Sequence, residues 1–308
     1  MSDTPHPIPT LSVAATPGFA DYALLDSGAG RKLERFGKFV VDRPEPQAMW
    51  NQADPGLWLR SDAQFKANKG EGQDDDDGGR WRFDKPLPET WPIQVLGTTI
   101  LCRLTNFRHL GIFPEQLPHW QWMLERVKEV QGERPRVLNL FAYTGAASLI
   151  AARAGAEVTH LDASKKAIGW AKQNQQVSKL GEAPIRWILD DARKFVSREV
   201  RRGRTYHVIL VDPPKFGRGP DNEVWDVFRD LAPLLRECAQ LLAPRQSSLV
   251  LTTYAIRASA LATHALVAEC MGRPGRIESG ELAVIEQSAG RLLPTSMFSR
   301  WQSLDAQA

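Results

Sequence analysis

The second half of the sequence alternates short apolar runs with longer segments whose apolar residues recur at helical spacing. The short runs predict strands, and this alternation is typical of a parallel β-sheet covered by helices on both faces. The predicted strands cover residues 137–141, 157–162, 184–189, 207–211 and 248–254. The predicted helices cover residues 145–154, 164–180 (with Ser164 as N-cap), 224–242 and 259–271, and residues 276–285 and 297–301 predict a closing antiparallel hairpin.

The first half has a different character, with many prolines and short alternating apolar runs such as residues 38–41 and 99–104. These features predict short strands joined by loops. We therefore expect a smaller β-rich N-terminal domain over residues 1–118, serving substrate recognition or acting as a lid, and a second domain over residues 119–308. Residues 69–79 (KGEGQDDDDGG) contain no apolar side chain and predict a solvated loop.

The composition argues against several classes of protein. No run of 18 apolar residues is present, and the first twenty residues lack the basic start and apolar core of a secretion signal, so neither a membrane protein nor a secreted one is expected. Cys102, Cys238 and Cys270 lie far apart, and His109 and His119 lack a partner motif, so neither disulfides nor a metal site is predicted. These features favour a cytoplasmic location for the protein. A net charge of +3 permits nucleic-acid binding without requiring it.

The most informative residues directly follow the predicted strands, because ligands of an open parallel sheet bind beyond the carboxyl ends of its strands. The first strand leads into N-L-F-A-Y-T-G (139–145), whose glycine permits a sharp turn close to a ligand. The second ends in Asp162, whose carboxylate can accept hydrogen bonds from two ribose hydroxyls. The third leads into Asp190 and Asp191, of which one is expected to cap the next helix, and the fourth into D-P-P-K-F (212–216).

These loops discriminate between two kinds of nucleotide-like cofactor. A nicotinamide dinucleotide needs G-x-G-x-x-G to place its pyrophosphate on a helix N-terminus, and this loop has one of the three glycines. A ligand that carries a ribose and an adenine but no phosphate fits better, which points to S-adenosylmethionine (SAM). Pro213 and Pro214 fix the backbone and remove two donors, so that carbonyl groups are left to face a planar amine or base.

Together, N-L-F-A-Y-T-G, Asp162, D-D-A (190–192) and D-P-P-K-F resemble the motifs of class I SAM-dependent methyltransferases. More narrowly, they resemble bacterial large-subunit ribosomal RNA methyltransferases of the cytosine-C5 and guanine-N7 kind. The similarity covers residues 105–255 and includes G-I-F-P-E-Q (111–116), which in those enzymes lies beside the cofactor. The resemblance implies an α/β fold with a Rossmann-like sheet of seven strands.

The resemblance also implies roles for individual residues. Phe141, Tyr143, Thr144 and Gly145 would line the methionine end of SAM, Asp162 would hold the ribose, and Asp191 with Ala192 would face the adenine. The full set expected to bind the cofactor is Phe113, Phe141, Tyr143, Thr144, Gly145, Asp162, Ala163, Asp191 and Ala192. The residues expected to be catalytic, where methyl donor and target meet, are Asp212, Pro213, Pro214, Lys215 and Phe216.

One departure from the motifs of these relatives bears on which atom of the base is methylated. Methylation of carbon 5 of a pyrimidine needs a thiolate that adds to carbon 6. In the cytosine-C5 relatives this cysteine lies just after the fifth strand, where the present sequence reads L-T-T-Y (251–254). Transfer to nitrogen needs only a nitrogen held in line with the methyl group. We therefore expect methylation of a nucleobase nitrogen in ribosomal RNA, with protein and small-molecule amines left open as acceptors.

In that reaction Asp212 and the Pro213 carbonyl would accept the hydrogens of the amine, and Phe216 or Tyr254 would stack on the base. Two basic segments bear on the RNA substrate. Each segment predicts either contact with RNA or an ordinary solvated surface. The first segment contains Arg193, Lys194, Arg198, Arg201, Arg202 and Arg204. The second contains Arg31, Lys32, Arg35, Lys38 and Arg43.

The alternative to an enzyme is a non-catalytic RNA-binding or assembly factor on a methyltransferase fold. The presence of Asp162, Asp191 and D-P-P-K-F favours the enzyme.

Overall fold

The computed structural model describes residues 8–68, 78–83, 85–254 and 256–304. Its first part is built mainly from short strands, as the sequence predicts. The elements of this part are β1 (Leu11–Thr16), β2 (Tyr22–Gly28), β3 (Arg31–Phe36), β4 (Phe39–Pro44), α1 (Pro55–Trp58), β5 (Ala63–Ala67), β6 (Gly79–Arg82), β7 (Trp91–Val95), β8 (Thr98–Cys102), a 3₁₀ turn (Pro114–Gln116) and α2 (Leu117–Glu129). The predicted loop over residues 69–79 lies outside the described residues up to position 77, and Gly79 begins β6.

The second part alternates strands and helices. Its elements are β9 (Arg136–Leu140), α3 (Ala146–Arg153), β10 (Glu157–Asp162), α4 (Lys165–Val177), β11 (Ile185–Leu189), α5 (Ala192–Arg201), β12 (Val208–Val211), β13 (Phe216–Arg218), β14 (Val224–Asp226), α6 (Val227–Leu241), β15 (Ser248–Thr253), α7 (Ala260–Met271), β16 (Gly275–Ile285) and β17 (Leu292–Ser303). The predicted cap of α4 is confirmed, because Ser164 Oγ accepts a hydrogen bond of 3.2 Å from Ala167 N.

One large sheet positions the site. Among the described strands its order is β1-β16-β17-β15-β12-β9-β10-β11. Strands β9 to β12 and β15 run parallel, and β17 is antiparallel to both β15 and β16. This is the predicted Rossmann-like α/β sheet with its closing antiparallel hairpin. Seven of these strands are the expected ones, and β1 adds an eighth by pairing parallel with β16.

Strand β1 departs from the predicted division of the chain at residue 118. Main-chain pairing with Ser279–Val284 places Leu11–Thr16 in the large sheet, although this segment belongs to the predicted N-terminal domain. The rest of the first part forms a five-stranded sheet of β2 to β6 and a hairpin of β7 and β8. The division into two domains therefore remains a prediction, and one strand of the first part, β1, belongs to the large sheet of the second.

The apolar runs form the centre of the large sheet because helices cover both of its faces. Every residue of β12 is buried, and neighbouring side chains point to opposite faces: Val208 packs with α2 and α3, whereas Ile209 packs with α5, α6 and α7. The hairpin of β7 and β8 is joined to α4, since Asn174 Oδ1 accepts from Leu101 N at 2.9 Å. The first part is thus attached directly to the sheet that carries the site.

The helix predicted over residues 224–242 begins later than expected. Val224–Asp226 form β14, which pairs with β13 in a small antiparallel ribbon, and the helix begins at Val227. Asp226 Oδ1 accepts from Phe228 N at 2.9 Å and caps the helix. The spacing of Val224 and Val227 fits a helix as well as this strand and cap, which explains the error. Over the described ranges, no helix is long and apolar enough to cross a membrane.

Candidate active site

A cavity of about 490 Å³ lies at the carboxyl ends of β9, β10, β12 and β15, the edge of the sheet where the sequence predicts a site. Its volume lies in the range that small-molecule and cofactor sites occupy. Many of the predicted site residues line it, namely Phe113, Phe141, Tyr143, Thr144, Gly145, Asp162, Ala163, Asp212, Pro213 and Pro214.

The turn between β9 and α3 bends sharply around the cavity. Phe141 and Tyr143 have φ values of 55° and 50°, and Gly145 has φ 86°. These left-handed conformations are costly for residues with a side chain, so the surrounding structure must hold them. A Cβ at Gly145 would lie 3.1 Å from the Cβ of Ala171, which explains why glycine stands there. The turn therefore lets main-chain groups approach a ligand closely.

Asp162, at the end of β10, anchors this turn. Its Oδ2 accepts from Tyr143 N at 2.8 Å, and its Oδ1 accepts from Ser164 N at 2.7 Å. Burial raises the pKa of this carboxyl, while these main-chain donors oppose the rise. Each carboxylate oxygen has a second lone pair, so both can also accept from the hydroxyls of a ribose.

The segment before α2, residues 111–116, forms another wall of the cavity and packs against the turn. Gly111 has φ 105°, and a Cβ there would lie 2.3 Å from the ring of Trp170. The hydroxyl of Thr144 donates to the Gly111 carbonyl, and the ring of Phe113 lies 5.5 Å from that of Tyr143. This segment is therefore fixed against the turn and places Phe113 on the cavity wall.

Asp212 directly follows β12 and lines the cavity. The side-chain amide of Gln116 donates to its Oδ2 at 3.0 Å. Burial, together with the nearby carboxyl of Glu115, raises the pKa of Asp212 to about 7. A carboxyl group with this pKa exchanges its proton near neutral pH, as a general acid or base must.

The two prolines after Asp212 are held by Trp225. Its indole N–H donates to the Pro214 carbonyl at 2.7 Å, and its ring lies 4.9 Å from the ring of Phe141. The Pro214 carbonyl thus already accepts a hydrogen bond within the protein, and Pro213 and Asp212 are left to face a target. Trp225 positions this turn, and the sequence prediction missed it because its segment was assigned to a helix.

Four predicted site residues do not line the cavity. Asp191 caps α5, accepting from Arg193 N and Lys194 N at 3.1 Å each, and Ala192 is the first residue of that helix. The Lys215 ammonium lies 5.3 Å from the ring of Phe216, which is 55% exposed on β13. Phe216 therefore cannot stack on a base inside the cavity, because the β13–β14 ribbon turns it outwards, whereas Tyr254 does line the cavity.

Several cavity residues were not predicted as site residues. Lys32 and Arg43 reach the cavity from β3 and β4, Glu115 and Gln116 from the 3₁₀ turn, His119 from α2 and Ser296 from β17. Lys32 and Arg43 come from a distant part of the sequence, so the strand-end motifs give no signal for them. Glu115 and Gln116 stand within G-I-F-P-E-Q, which already pointed to this place.

The two basic segments are largely neutralised by ion pairs. Four cations of the α5 segment pair with carboxylates, in the pairs Arg193–Asp230, Lys194–Glu223, Arg198–Asp190 and Arg202–Glu199. In the N-terminal segment the pairs are Arg31–Asp42, Lys32–Glu45 and Arg43–Glu34. These residues therefore carry less net positive charge than the sequence suggests, which weakens both segments as evidence for RNA.

None of the three cysteines lines the cavity: Cys102 lies in β8, Cys238 in α6 and Cys270 in α7, and all are buried. Burial raises the pKa of Cys102 and of Cys238, so both stay protonated. Among the described residues, no group of three or more His, Cys, Asp or Glu side chains could hold a metal ion.

The residues present fit SAM. The carboxylate of Asp162 could accept from the hydroxyls of a ribose, a glycine turn leaves room for a close ligand, and Phe113 and Tyr143 supply an apolar wall. Asp212 lines the same cavity and could meet a methyl-transfer target. Fold and cavity together define a class I SAM-dependent methyltransferase.

The chain belongs to the S-adenosylmethionine-dependent methyltransferase family, whose model matches residues 58–274. The crystal structure of the SAM-dependent methyltransferase from Agrobacterium tumefaciens is 50% identical, with a TM-score of 0.89 over 94% of this chain and 93% of that one. SMU.776, crystallised with S-adenosylhomocysteine (SAH), shares the fold at 18% identity, with a TM-score of 0.71 over 93% of this chain and 76% of that one. The cofactor of the family is SAM, and the chain is an enzyme of this class.

Curated relatives match part of the chain. A protein from Pseudoalteromonas atlantica named ribosomal RNA large subunit methyltransferase K/L is 32% identical over 170 residues, which cover 54% of this chain and 23% of the relative. A protein of the same name from Hahella chejuensis is 35% identical over 154 residues, which cover 49% of this chain and 20% of the relative. The chain thus spans about a fifth of the length of the curated relatives that it matches.

Proposed function

We propose that this protein transfers the methyl group of SAM to a nucleobase nitrogen in large-subunit ribosomal RNA. The observation that carries the proposal is the position of Asp212, a carboxyl with a pKa of about 7, in a cavity that no cysteine lines. The names of the curated relatives support ribosomal RNA as the substrate. A ribosomal RNA substrate implies a cytoplasmic enzyme.

The absence of a cysteine from the cavity wall supports nitrogen as the target atom. Methylation of a pyrimidine carbon needs a thiolate within reach of the ring. Cys102 lies in β8 of the first part, and Cys238 and Cys270 lie in helices on the far face of the sheet, all with little or no exposure. A nitrogen with a lone pair needs no such nucleophile.

When bound, SAM supplies an electrophilic methyl group on its sulfonium sulfur. The chain binds the ribose through Asp162 and orients the target nitrogen through Asp212 and the carbonyl of Pro213. The nitrogen lone pair forms the new bond to carbon as the carbon–sulfur bond breaks and SAH is released. For an exocyclic amine, the methylated nitrogen then loses one of its protons, and the Asp212 carboxylate accepts it. Gln116 keeps Asp212 in place during this step, since it donates to Oδ2 and leaves Oδ1 for the target.

The proposal is tested by incubating the protein with tritiated SAM and an unmodified large-subunit ribosomal RNA transcript, followed by nucleoside analysis by mass spectrometry. We expect a nucleoside methylated on nitrogen, and a loss of the product with Asp212→Asn. Bovine serum albumin and spermidine serve as protein and small-molecule amine acceptors in parallel. A carbon-methylated nucleoside, or label in an amine acceptor but not in RNA, would contradict the proposal.

A further inference from the structure

The cavity continues past Asp212, away from Asp162. Strand β12 lies between β9 on one side and β15 and β17 on the other, so wall residues from β15 and β17 stand on the far side of Asp212. The hydroxyl of Thr16 in β1 lies 3.3 Å from the Pro114 carbonyl, which places the 3₁₀ turn on the same side. We name this part the distal subsite, and the residues that define it are Lys32, Glu115, His119, Thr252 and Ser296.

Lys32 brings a positive charge from the first part of the chain into the distal subsite. Its Nζ lies 3.0 Å from Glu45 Oε2, and its side chain is 13% exposed. Burial opposes the charge, but Glu34 and Glu45 outweigh it and raise the pKa of Lys32. An ammonium has three N–H donors, so donors remain for a ligand after the bond to Glu45.

Glu115 offers an acceptor in the same place. No hydrogen bond or ion pair joins its carboxyl to another residue within the described ranges, although it lines the cavity. Burial raises its pKa, and Lys32 acts in the opposite direction. Its own main-chain N–H interacts with the carboxyl, but no other described residue donates to it, so a carboxyl oxygen is left to accept from an N–H group of a ligand.

His119 offers a fixed donor. Its Nδ1 accepts from Arg300 Nε at 3.0 Å and from Arg300 Nη2 at 2.7 Å, so the ring proton must sit on Nε2. Nε2 is buried and has no hydrogen-bond partner among the described residues. Burial and the adjacent Arg300 hold the pKa of His119 well below its usual value, so the ring stays neutral. Nε2 is thus an unsatisfied donor on a residue that lines the cavity, and a carbonyl oxygen of a ligand would satisfy it.

We propose that the distal subsite recognises the target base by an edge that carries a carbonyl oxygen next to an N–H group, with Lys32 and His119 donating to the oxygen and Glu115 accepting from the N–H. The inference rests on the proposed function. Guanine carries such an edge and has an exocyclic amine outside it that can take the methyl group. Uracil carries the edge but no amine, and adenine and cytosine carry an amine next to an unprotonated nitrogen. The N-terminal β-strands then take part in substrate recognition, because Lys32 belongs to β3.

The test compares Lys32→Met and Glu115→Gln with Lys38→Met, which removes one exposed positive charge from the same sheet and lines no part of the cavity. The probe is the unmodified ribosomal RNA transcript with tritiated SAM. The assays are run at pH 8.5, where Asp212 is ionised with or without the charge of Glu115. We expect Lys32→Met and Glu115→Gln to lower kcat/KM for RNA by about tenfold or more, mainly through KM, with SAH affinity within about twofold of the wild type. Glu115→Gln is isosteric and breaks no ion pair, so it remains informative if Lys32→Met folds poorly.

Three results would overturn the inference. In the first, both variants behave like Lys38→Met. In the second, SAH affinity falls together with kcat/KM, which would assign these residues to the cofactor. In the third, the wild-type product is an adenosine, cytidine or uridine methylated on nitrogen, which would leave the proposed function standing. A wild type that transfers no methyl group to any RNA nucleoside would instead show that the proposed function itself is wrong.

Discussion

The side-chain amide of Gln116 donates a hydrogen bond of 3.0 Å to Oδ2 of Asp212, joining the segment before α2 to the end of β12. These residues are 96 positions apart in the sequence, and the bond fixes one carboxylate oxygen while leaving the other free. Glu115, the neighbour of Gln116, helps raise the pKa of Asp212 to about 7. The 3₁₀ turn therefore fixes the orientation of this carboxyl and adds to the effect of burial, which is the main cause of its raised pKa.

A pH dependence of activity follows from this pKa. The carboxylate form of Asp212 accepts the proton, so the rate of methyl transfer is expected to rise as pH increases through about 7 and to level off above it. Asp212→Asn removes this rise and lowers kcat by roughly a hundredfold or more. Single-turnover rates between pH 5.5 and 8.5 measure both effects. A wild-type rate that does not change over this interval would exclude Asp212 as the proton acceptor.

The same pKa shift predicts a pH dependence of stability. The folded state binds the Asp212 proton more tightly than the unfolded state does, so this group's contribution to folding falls as pH rises from about 4 to about 7. Asp212→Asn removes the buried charge, and we expect its Tm to exceed that of the wild type at pH 8 but not at pH 4. Thermal melts of both proteins at pH 4 and pH 8 measure this difference in Tm. An equal difference in Tm at both would contradict the raised pKa.

Gly111 and Gly132 form a matched pair for a test of the segment before α2. Both have positive φ, of 105° and 81°, but a Cβ at Gly111 would lie 2.3 Å from Trp170, whereas one at Gly132 meets nothing within 4 Å. Gly132→Ala should cost about 1 kcal/mol through backbone strain. Gly111→Ala should cost about 1–3 kcal/mol more and weaken SAH binding, since the segment must move away from Trp170. Urea denaturation and SAH titration measure both, and equal costs would refute the predicted close packing.

The cysteines provide a test of the target atom. Substitution of Cys102, Cys238 or Cys270 by alanine, one at a time, is expected to leave turnover within about twofold of the wild type and to cost roughly 1 kcal/mol of stability. The physical reason is that all three side chains are buried away from the cavity. Turnover is measured well below the Tm of each variant. Loss of activity in a folded single variant would point to a thiolate mechanism and to a carbon target.

Much of the large sheet could be predicted because its signals are local. The strand Glu157–Asp162 has the predicted bounds, and Ser164 caps α4 as expected, since apolar periodicity and a capping hydroxyl act within a few residues. Strand β1 was missed, because six residues of alternating polarity do not specify a partner 268 positions away: Leu11 pairs with Ser279.

In the candidate site too, residues marked by a local motif could be predicted, whereas residues placed by contacts between distant segments could not. Asp162 and Asp212 lie in the cavity because each ends a strand of the sheet, which a sequence motif reveals. Phe216 lies outside because the β13–β14 ribbon turns it towards solvent, and no local pattern distinguishes that ribbon from the start of a helix. Lys32 reaches the cavity only through the packing of the N-terminal strands on the large sheet, so its place depends on contacts between distant parts of the chain.

We propose that Asp162 holds the cofactor and that Asp212 serves the target, at separate places in one cavity. Isothermal titration of SAH into the wild type, Asp162→Ala and Asp212→Asn tests it most directly, with thermal melts to show that each variant is folded. We expect Asp162→Ala to bind SAH about tenfold to a hundredfold more weakly, as loss of a charged hydrogen-bond acceptor implies, and Asp212→Asn to bind within about twofold of the wild type. Wild-type affinity in Asp162→Ala, or an equal loss in both variants, would contradict this assignment of the two residues.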